Sequence, residues 1–431
     1  MNSVLQVMEQ AVDTFLKTLL KSGLLNREQL QTVLRAVPET CRDNAQELAD
    51  QLIKLGKLSR FQAHKLLQGA ALGLMLGPYQ ILTPIGRGGM GSVYLALDSR
   101  TGQRLALKVL PPHKAREEER YLARFRREMD LSQRLRHANV ALTFEVGESQ
   151  GVHYIAMEYI PGQSLHRLVN KEGPLTVGRA ARLFAEVCSG LEHAHSQGLI
   201  HRDLKPSNIM VTPNDHAKIL DLGLALMEGE VEDIEVVGGH GYVVGSMDYI
   251  APEQTQDATG VDARADIYAL GCSLYHALSG RPPFPGGGNR IKIKRHRFDE
   301  PEPLTRLNPS VPEEFAGLVR KMMAKKLEKR FASAYDVRGE LLAWASGDPV
   351  LPMDQQGDKG FQQAVSELEA GEVADELISA DVLEPEKSKK SIEAELPTKQ
   401  QLRRDYLWII LGLLGFWLIV LTGLGIVVLL R

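Results

Sequence analysis

The stretch IHRDLKPSNIM, residues 200–210, crowds acidic, basic and amide side chains between apolar residues. Asp203 could accept a proton from a hydroxyl group, and Lys205 could neutralise a phosphoryl group during its transfer. Asn208 offers an amide oxygen to a metal ion, and Asp221, eighteen residues after Asp203, offers a carboxylate. Oxygen ligands of this kind suit Mg²⁺. Each residue alone fits an ordinary solvated loop, but their order together indicates phosphoryl transfer.

A glycine-rich stretch, IGRGGMGSVY at 85–94, is a second candidate for phosphate binding. Its glycines, Gly86, Gly88 and Gly91, lie between two strand-like segments, whereas the dinucleotide-binding fingerprint requires a strand followed by a helix. The pattern therefore indicates a hairpin loop, whose backbone can lie close over phosphates because it lacks side chains. Glycine-rich turns are common, so the motif is weak evidence by itself.

Lys108, in the segment ALKVL, follows Gly86 by 22 residues and has apolar neighbours on both sides. A lone lysine in a strand is usually a solvated edge residue, but this setting favours pairing with phosphates. A buried lysine needs a counter-charge. Glu128 is the candidate, and a surface position among arginines is its alternative. The rival glutamates at 117–119 lie in a dense charge run that is typical of a solvated loop.

The hydrophobic pattern predicts the elements that could position these residues. Alternating apolar and polar residues indicate strands in YQILTPIG, GSVYLALD and QRLALKVL, and further strands near 141–147 and 152–159. A helical pattern covers 117–136, and the chain is mostly helical from 164 to about 345. Strands first and helices afterwards predict an α+β fold of two lobes, the first β-rich and the second helical.

Residues 79–345 resemble a protein kinase domain of the bacterial eukaryote-like, or Hanks-type, serine/threonine family. The resemblance covers about 60 per cent of the chain, and its motifs are jointly specific. The matching segments are GRGGMGSVY, ALKVL, Glu128, HRDLKPSN, DLG, GSMDYIAPEQ and DARADIYALG. HRDLKPSN, rather than a form with Ala-Ala-Arg after the leucine, points to Ser and Thr acceptors rather than Tyr.

The resemblance implies a role for each candidate. Asp203 would be the catalytic base, and Lys205 would steady the γ-phosphate of ATP. Lys108 would pair with the α- and β-phosphates and with Glu128, which completes the implied catalytic set. The implied metal ligands are Asn208 and Asp221, and the implied cofactors are ATP and Mg²⁺.

The same resemblance implies a nucleotide site between the glycine-rich lid and a hinge. Val93 and Ala106 would flank the adenine, and the backbone of 157–160 would read its edge. The implied nucleotide-binding residues are Ile85, Gly86, Arg87, Gly88, Gly89, Met90, Gly91, Val93, Ala106, Lys108, Met157, Glu158 and Ile160.

Three further residues have implied structural roles in the larger lobe. Glu253 in APE and Arg330 in KRFASA would form an ion pair. Asp266, in DARADIYALG, would brace the catalytic loop from a buried helix.

Three departures from the family pattern lie in the activation segment. DLG replaces the commoner DFG, and Leu222 can still pack as an apolar side chain. Ser246 stands where threonine is usual and keeps a hydroxyl group. Residues 224–245 contain no Ser or Thr, and Tyr242 supplies their only side-chain hydroxyl. A loop phosphate that would pair with Arg202 therefore has no obvious attachment point.

An acidic run in this segment leads to one hypothesis about activation. Its permanent negative charge near Arg202 would replace the phosphate, so activity would not require loop phosphorylation. An ordinary solvated loop is the alternative. The run consists of Glu228, Glu230, Glu232, Asp233 and Glu235.

The pattern of residues 1–68 predicts short amphipathic helices in a small all-α module. KSGLLNREQLQTVL at 21–34 and KLGKLSRFQAHKLL at 54–67 share Lys, Gly, Leu, Arg, Gln and a final Leu at an offset of 33 residues. Asn26 and Ser59 stand where helix N-caps are expected. An internal duplication is one interpretation, and chance similarity between two amphipathic helices is the other. The module is also a candidate route for incoming signals.

Two segments are predicted to link domains. The glycine-punctuated stretch 69–78 would join the module to the kinase-like region. Residues 346–405, with few aromatics and many charges, would form a disordered juxtamembrane linker. Its basic end could lie on anionic lipid, although a plain stop-transfer flank explains it equally well.

The C-terminal segment 407–430 contains no charge and is long enough to span a bilayer, with a buried core helix as the alternative. Residues 406–431 are therefore predicted to be a transmembrane helix. Arg403 and Arg404 precede it and only Arg431 follows, so the positive-inside rule places the preceding chain in the cytoplasm. No signal-peptide pattern opens the sequence. We expect a single-pass, C-terminally anchored protein of the inner membrane.

Charge and cysteine content argue against other classes. The chain has 51 Lys and Arg against 54 Asp and Glu, a net charge of −3, which argues against non-specific nucleic-acid binding. Cys41, Cys188 and Cys272 lie far apart without CxxC spacing, so neither a disulfide framework nor a zinc site is expected. Two of them lie in helix-like apolar patterns, which favour buried, inert thiols.

These expectations combine into a membrane-tethered serine/threonine protein kinase that uses Mg²⁺ and ATP. Its expected partners are protein substrates, ATP, membrane lipid at the C-terminal helix, and a second copy for autophosphorylation; nucleic acid is not expected. A pseudokinase scaffold that binds nucleotide or partners without turnover is the alternative, and a small-molecule kinase is another. The complete catalytic and metal-binding set argues against the first, and APE with Arg330 argues against the second.

Overall fold

The N-terminal module is built from four helices. The computed structural model describes residues 2–87, 91–110, 135–220, 226–227, 247–256 and 261–345. The helices are α1 Asn2–Ser22, α2 Arg27–Ala36, α3 Ala45–Lys54 and α4 Arg60–Leu67, with a one-turn 3₁₀-helix at Glu39–Cys41 between α2 and α3.

Polar side chains set the starts of the last three of these helices. Asn26 caps α2, Asn44 caps α3 and Ser59 caps α4, each by accepting hydrogen bonds from the first turn. In α2 and α4 the third helical residue, Gln29 or Gln62, accepts a hydrogen bond from the backbone of the capping residue and completes a capping box. The predicted N-caps Asn26 and Ser59 are therefore confirmed.

The segments around these two capping boxes have the same local structure. Gly23 and Gly56, which are also 33 residues apart, have φ angles of 78° and 64° after the preceding helix, a conformation that favours glycine. A buried leucine, Leu25 or Leu58, comes directly before each cap. This correspondence is what the hypothesis of an internal duplication predicts.

A six-stranded antiparallel sheet follows, with strand order β1-β2-β3-β4-β6-β5. Strands β2 to β6 occur where the alternating pattern predicts them, whereas β1 lies in the stretch predicted as a linker. The six strands are β1 Met75–Leu76, β2 Tyr79–Arg87, β3 Ser92–Asp98, β4 Arg104–Leu110, β5 Thr143–Ser149 and β6 Val152–Met157.

The stretch 69–78 is more than the plain linker that the sequence predicts. Its strand β1 folds back onto the start of β2 through a turn at Gly77, whose φ is 57°. Leu74 and Leu76 are buried there. Their apolar side chains join the core, so the second half of the stretch contributes to the folded lobe.

The two faces of the sheet have different neighbours because successive side chains point to opposite sides. The outer face carries Tyr79, Ile81, Tyr94, Ala96, Leu105, Leu107 and Val109, and these share one hydrophobic core with the module helices. The module contributes, among others, Phe15, Leu19, Leu48, Leu52, Phe61 and Leu66. The opposite, inner face carries a separate apolar cluster that is described below. The module is therefore packed on the sheet and shares its core.

The second lobe is mainly helical, so the predicted α+β fold of two lobes is confirmed. Its helices are α5 Leu165–Glu172, α6 Val177–Ser196, α7 Arg264–Ser279, α8 Asn289–Phe298, α9 Leu304–Leu307, α10 Glu313–Met322 and α11 Ala334–Leu342. Its short strands are β7 Gln163–Ser164, β8 Leu199–Ile200, β9 Ile209–Val211, β10 Ala217–Ile219 and β11 Leu226–Met227. One-turn 3₁₀-helices occur at Pro206–Asn208, Glu253–Thr255 and Leu327–Lys329.

The core of this lobe surrounds α6 and α7, which are buried along most of their length. Cys188 in α6 and Cys272 in α7 are both buried, as their apolar surroundings predict. Burial raises the pKa of both thiols, which makes them less reactive.

No helix within the described ranges is long and apolar enough to cross a membrane. The predicted transmembrane helix 406–431 and juxtamembrane linker 346–405 lie outside the described residues. The predicted helix 117–136 lies outside them too, except for its last two positions, which are not helical.

Candidate active site

The predicted catalytic loop connects β8 to β9 and brings three of the predicted residues together. Lys205 Nζ donates to Asp203 Oδ2 at 2.6 Å, and both side chains are partly exposed, by 23% and 12%. Asn208, on the 3₁₀-helix Pro206–Asn208, donates from Nδ2 to the backbone carbonyl of Asp203 at 3.0 Å. Because the amide nitrogen makes this bond, the amide oxygen is the atom of Asn208 that could bind a cation.

Asp266, fully buried in the first turn of α7, braces this loop. Its carboxylate accepts hydrogen bonds from the backbone N–H groups of His201 and Arg202, each at 2.9 Å, and lies 2.8 Å from His195 Nε2. Burial alone would raise the pKa of Asp266, but hydrogen bonding to His195, the charge of nearby imidazoles and the His201 N–H lower it. The bracing contact that the resemblance implies is thus present.

The brace also holds a backbone conformation that is costly by itself. Arg202 has a φ of 63°, a left-handed value that is uncommon for a residue other than glycine. The bond from its N–H to Asp266 and a hydrogen bond from Gln254 Nε2 to its carbonyl oxygen, at 2.9 Å, fix it on both sides. Strained backbone of this kind often occurs at functional sites.

The implied ion pair of the larger lobe is also present. Arg330 Nη1 and Nη2 donate to the two carboxylate oxygens of Glu253 at 2.6 and 2.8 Å. The Arg330 side chain is fully buried and also donates to the carbonyl oxygens of Ala324 and Arg264. This bidentate pair anchors the APE segment, and Gln254, the residue that follows it, lies beside the catalytic loop.

Two hydrogen bonds connect the catalytic loop to the end of β10. His201 Nε2 lies 3.0 Å from the carbonyl oxygen of Leu220, and the N–H of Leu220 donates to the carbonyl oxygen of Asn208 at 2.8 Å. Asp221, the second implied metal ligand, is the next residue after Leu220 and lies outside the described residues. Its immediate neighbour is therefore tied to the loop that carries Asn208.

Lys108 lies on β4 at the inner face of the sheet and is only 6% exposed. It stands opposite Val93 of β3 and Ile155 of β6. Ala106, two residues earlier on the same strand, shares its face, because the side-chain period of a strand is two. Glu128, the implied partner of Lys108, lies outside the described residues.

The apolar cluster on this face brings four implied nucleotide contacts together. Ile85, Val93, Ala106 and Met157 pack with Leu82, Leu95, Leu97 and Tyr159, and we call these eight residues the inner cluster. They come from four strands, β2, β3, β4 and β6, and from the segment after β6. An apolar surface with a few polar groups at its edge is typical of a site for a flat aromatic ligand.

The glycine-rich loop is described only at its two ends. Gly86 lies in β2 and Gly91 precedes β3; Gly88, Gly89 and Met90 lie outside the described residues, and Arg87 is the last residue of β2. A Cβ atom on Gly91 would stand 2.1 Å from the carbonyl oxygen of Val109. Close approach of β4 thus requires glycine at this position, a structural reason that the phosphate-binding prediction does not contain.

One polar backbone group of the hinge after β6 already has a partner within the protein. The N–H of Glu158 donates to the carbonyl oxygen of Leu142 at 2.7 Å, so of its two polar backbone groups only the carbonyl could contact an adenine. The Glu158 carboxylate is buried and accepts two hydrogen bonds from Lys218 Nζ, at 2.6 and 2.8 Å. Met157 belongs to the inner cluster, and Ile160 is buried.

Lys218 is a residue of this site that no motif predicts. It is 1% exposed in β10, three residues before Asp221, and it ties the hinge to the strand that leads to the implied metal ligand. A signal for it exists in the sequence, because AKIL surrounds a lone lysine with apolar residues just as ALKVL does. A buried lysine of this kind requires a nearby carboxylate.

The described part of the chain contains no group of three or more His, Cys, Asp or Glu side chains that could hold a metal ion. The implied Mg²⁺ ligands are an amide oxygen and a carboxylate, a donor set that suits this hard cation when phosphate oxygens and water complete the shell.

Known proteins share this sequence pattern. The family model of the protein kinase domain matches residues 79–338. Serine/threonine-protein kinase PknB of Mycolicibacterium smegmatis is 36% identical over 268 residues, which cover 61% of this chain and 42% of that protein. Serine/threonine-protein kinase pkn3 of Myxococcus xanthus is 37% identical over 272 residues, which cover 62% of this chain and 49% of that protein.

A third relative agrees. Serine/threonine-protein kinase PknB of Mycobacterium tuberculosis is 35% identical over 275 residues, which cover 63% of this chain and 43% of that protein. The chain thus spans less than half the length of these curated relatives. The family model begins at Tyr79, so the helical module precedes the matched region.

Proposed function

The chain belongs to the protein kinase domain family, and we propose that it transfers the γ-phosphate of ATP to Ser and Thr hydroxyl groups of proteins. The observation that carries this proposal is the catalytic loop. It brings Asp203, Lys205 and Asn208 within hydrogen-bond reach of one another. Asp266 braces the backbone just before Asp203 by accepting a hydrogen bond from the N–H of Arg202.

The proposed chemistry follows from the positions of these side chains. The acceptor hydroxyl loses its proton to the Asp203 carboxylate while its oxygen forms a bond to the γ-phosphorus. The bond from that phosphorus to the bridging oxygen of the β-phosphate breaks, and ADP leaves. Lys205, 2.6 Å from Asp203, places a positive charge where negative charge develops on the phosphoryl oxygens.

The nucleotide would lie against the inner cluster, with its phosphates toward Lys108. Asn208 and Asp221 would hold Mg²⁺, which when bound neutralises phosphate charge. The buried Glu158–Lys218 pair holds the hinge at the adenine end of this site. These residues therefore bind and orient the nucleotide, while Asp203 moves the proton.

A transfer assay on the full chain, purified in detergent, tests this proposal. With γ-labelled ATP, Mg²⁺ and a basic protein acceptor, we expect labelled phosphoserine or phosphothreonine from wild type. Asp203→Ala should lower the rate by about 10²–10⁴-fold, the usual contribution of a general base. Asp43→Ala, at an exposed position of the helical module, is the control and should transfer at the wild-type rate.

Two outcomes would contradict the proposal. Wild-type protein that binds ATP and yet transfers no phosphate, in detergent and in membranes, would support the pseudokinase scaffold. Equal rates for wild type and Asp203→Ala would remove Asp203 from the chemistry.

We propose further that residues 406–431 anchor the protein in the inner membrane, with the preceding chain in the cytoplasm. The support is the uncharged segment 407–430 and the arginines that precede it. A chain that ends at 405 should move from the membrane to the soluble fraction of lysed cells. Recovery of both chains in the soluble fraction would contradict the anchor.

The absence of Ser and Thr from residues 224–245 supports a proposal about activation. Permanent acidic charge in this segment would replace loop phosphorylation, with the alternative that the run is only solvated. Protein produced without exposure to ATP should show its full rate from the first turnover. A lag that ends when residues 224–245 become phosphorylated, and that shortens as protein concentration rises, would instead indicate autophosphorylation between two copies.

A further inference from the structure

Two side chains of the helical module contact the strand that leads into the glycine-rich loop. Ser59 Oγ donates to the carbonyl oxygen of Leu82 at 2.5 Å, and Gln62 Nε2 donates to the carbonyl oxygen of Ile81 at 2.7 Å. Both belong to the capping box of α4, and Gln62 is fully buried.

Each of the two side chains makes two hydrogen bonds. Its oxygen accepts within the cap, and its O–H or N–H group donates to the strand. Ser59 Oγ accepts from the N–H of Gln62 at 3.1 Å, while its own hydroxyl proton goes to Leu82. Gln62 Oε1 accepts from the N–H of Ser59 at 2.9 Å, while its amide nitrogen donates to Ile81. A hydroxyl and a carboxamide can do this because each carries both donor and acceptor capacity.

The two carbonyl groups lie at a β-bulge. Ile81 pairs with Ala96 and Thr83 pairs with Leu95, so Leu82 is an extra residue with no partner opposite it. A bulge disrupts the ladder locally, and buried carbonyl groups need donors. Ser59 and Gln62 provide donors from the module at this irregular point.

The two residues at the bulge have different side-chain neighbours. The side chain of Ile81 lies in the outer core with the module helices. The side chain of Leu82 lies in the inner cluster, in the company of four implied nucleotide contacts: Ile85, Val93, Ala106 and Met157. A shift of the Leu82 backbone would therefore move a side chain that supports the adenine surface.

We infer that Ser59 and Gln62 are positioning residues for the nucleotide site, and that the module 2–67 is a working part of the nucleotide-binding lobe. The inference rests on the proposed function, because it assumes that ATP binds at the inner cluster. The coupling would pass through a series of contacts. The capping box of α4 holds the carbonyl groups of the bulge, the bulge positions Leu82, and Leu82 supports the apolar surface of the inner cluster.

The first capping box provides a matched control. Asn26 and Gln29 occupy the same repeat positions, 33 residues earlier, and cap α2 in the same way. Both side chains are exposed, and their capping hydrogen bonds stay within α2 and its cap. Changes there remove equivalent caps without touching the bulge.

Direct binding of a fluorescent ATP analogue with Mg²⁺ to the full chain tests the inference. The double variant Ser59→Ala/Gln62→Met should weaken the Kd by about 3- to 10-fold, a usual size for indirect coupling. Asn26→Ala/Gln29→Met should stay within about twofold of wild type, since it lies outside that coupling. The single substitution Ser59→Thr keeps the hydroxyl group, so this variant should bind the analogue with the wild-type Kd.

Steady-state kinetics separate positioning from general damage. The KM for ATP should rise in the Ser59/Gln62 variant, while the KM for the protein acceptor and the kcat at saturating ATP stay near wild type. If this double variant does not fold, Ser59→Ala alone, compared with Ser59→Thr, gives the same test.

Three results would overturn the inference. The first is a folded Ser59/Gln62 variant with the wild-type Kd. The second is equal weakening in the Asn26/Gln29 control, and the third is an equal rise of both KM values. Wild-type protein that binds the analogue without transferring phosphate would refute the proposed function alone, because the Kd comparison needs no transfer.

Discussion

The capping boxes at 26–29 and 59–62 have the same local structure in different surroundings. Both join a polar N-cap to a glutamine three residues later through reciprocal hydrogen bonds. The first box is exposed to solvent. The second is covered by the sheet, and its remaining donors bind the backbone of β2.

The comparison shows how a local motif acquires a second role through its position. Capping satisfies helix N–H groups with side-chain oxygens and leaves the Ser hydroxyl proton and the Gln amide nitrogen available. In the first box water can bind such groups. In the second, burial would make unpaired groups costly, and the bulge carbonyls are their partners.

Removing the module should have the largest effect. Deleting 1–67 would expose the outer face, including the fully buried Tyr79, Ile81 and Leu107. At roughly 2 kcal/mol for each large apolar side chain, these three alone amount to about 6 kcal/mol, comparable to the whole stability of many domains. We expect an aggregated or unfolded chain in thermal-unfolding and light-scattering measurements. A soluble monomer with the wild-type Tm would show that the shared core is dispensable.

Replacing the glutamines should separate the two boxes next. Gln62→Leu removes the donor to the buried Ile81 carbonyl and the acceptor for the Ser59 N–H, a loss of about 2–3 kcal/mol. Gln29→Leu removes only an exposed reciprocal bond and should cost about 0.5 kcal/mol. Urea unfolding of both variants measures the difference. Equal losses would mean that the contact with β2 adds nothing to the cap.

Substituting aspartate at each of the two N-caps tests whether the hydrogen bond that the Ser59 hydroxyl donates to Leu82 contributes to stability. Asp caps helices well, so Asn26→Asp should change stability by less than about 0.5 kcal/mol. Ser59→Asp keeps the cap but places a carboxylate against the Leu82 carbonyl, at a cost of about 1–2 kcal/mol.

The pH dependence of the Ser59→Asp variant gives a second reading. The Leu82 carbonyl oxygen repels the ionised carboxylate and raises the pKa of the new carboxyl group above its unfolded value. The loss in the free energy of unfolding should therefore be greatest at neutral pH. It should shrink as the pH falls and the group gains a proton that it can donate. A loss that is constant with pH, in thermal unfolding at several pH values, would indicate a steric cause.

The smallest effect is expected where the first box is made to resemble the second. Asn26→Ser exchanges two strong N-caps at an exposed site and should alter stability by less than about 0.3 kcal/mol. The same thermal-unfolding measurement checks this. A loss above about 1 kcal/mol, the size of a whole cap, would mean that Asn26 has a tertiary role that its exposure does not indicate.

Much of the fold and of the catalytic loop could be predicted from the sequence by itself. Strands β2 to β6 follow from alternation, and the caps at Asn26 and Ser59 follow from side chains that bond their near neighbours; both are local effects. Asp203, Lys205 and Asn208 lie within six consecutive residues, so chain connectivity already keeps them close. The family resemblance supplied the distant partners, such as Glu253 with Arg330.

Only the tertiary structure decided the contacts between remote elements. Lys218 and Glu158 are 60 positions apart, Ser59 of the helical module meets Leu82 of the sheet, and the stretch predicted as a linker contributes β1. The N–H of Glu158 likewise bonds to Leu142. Local patterns determine which face of an element is apolar, but not which element covers it. That choice depends on how the whole core packs and on which buried polar groups then find partners.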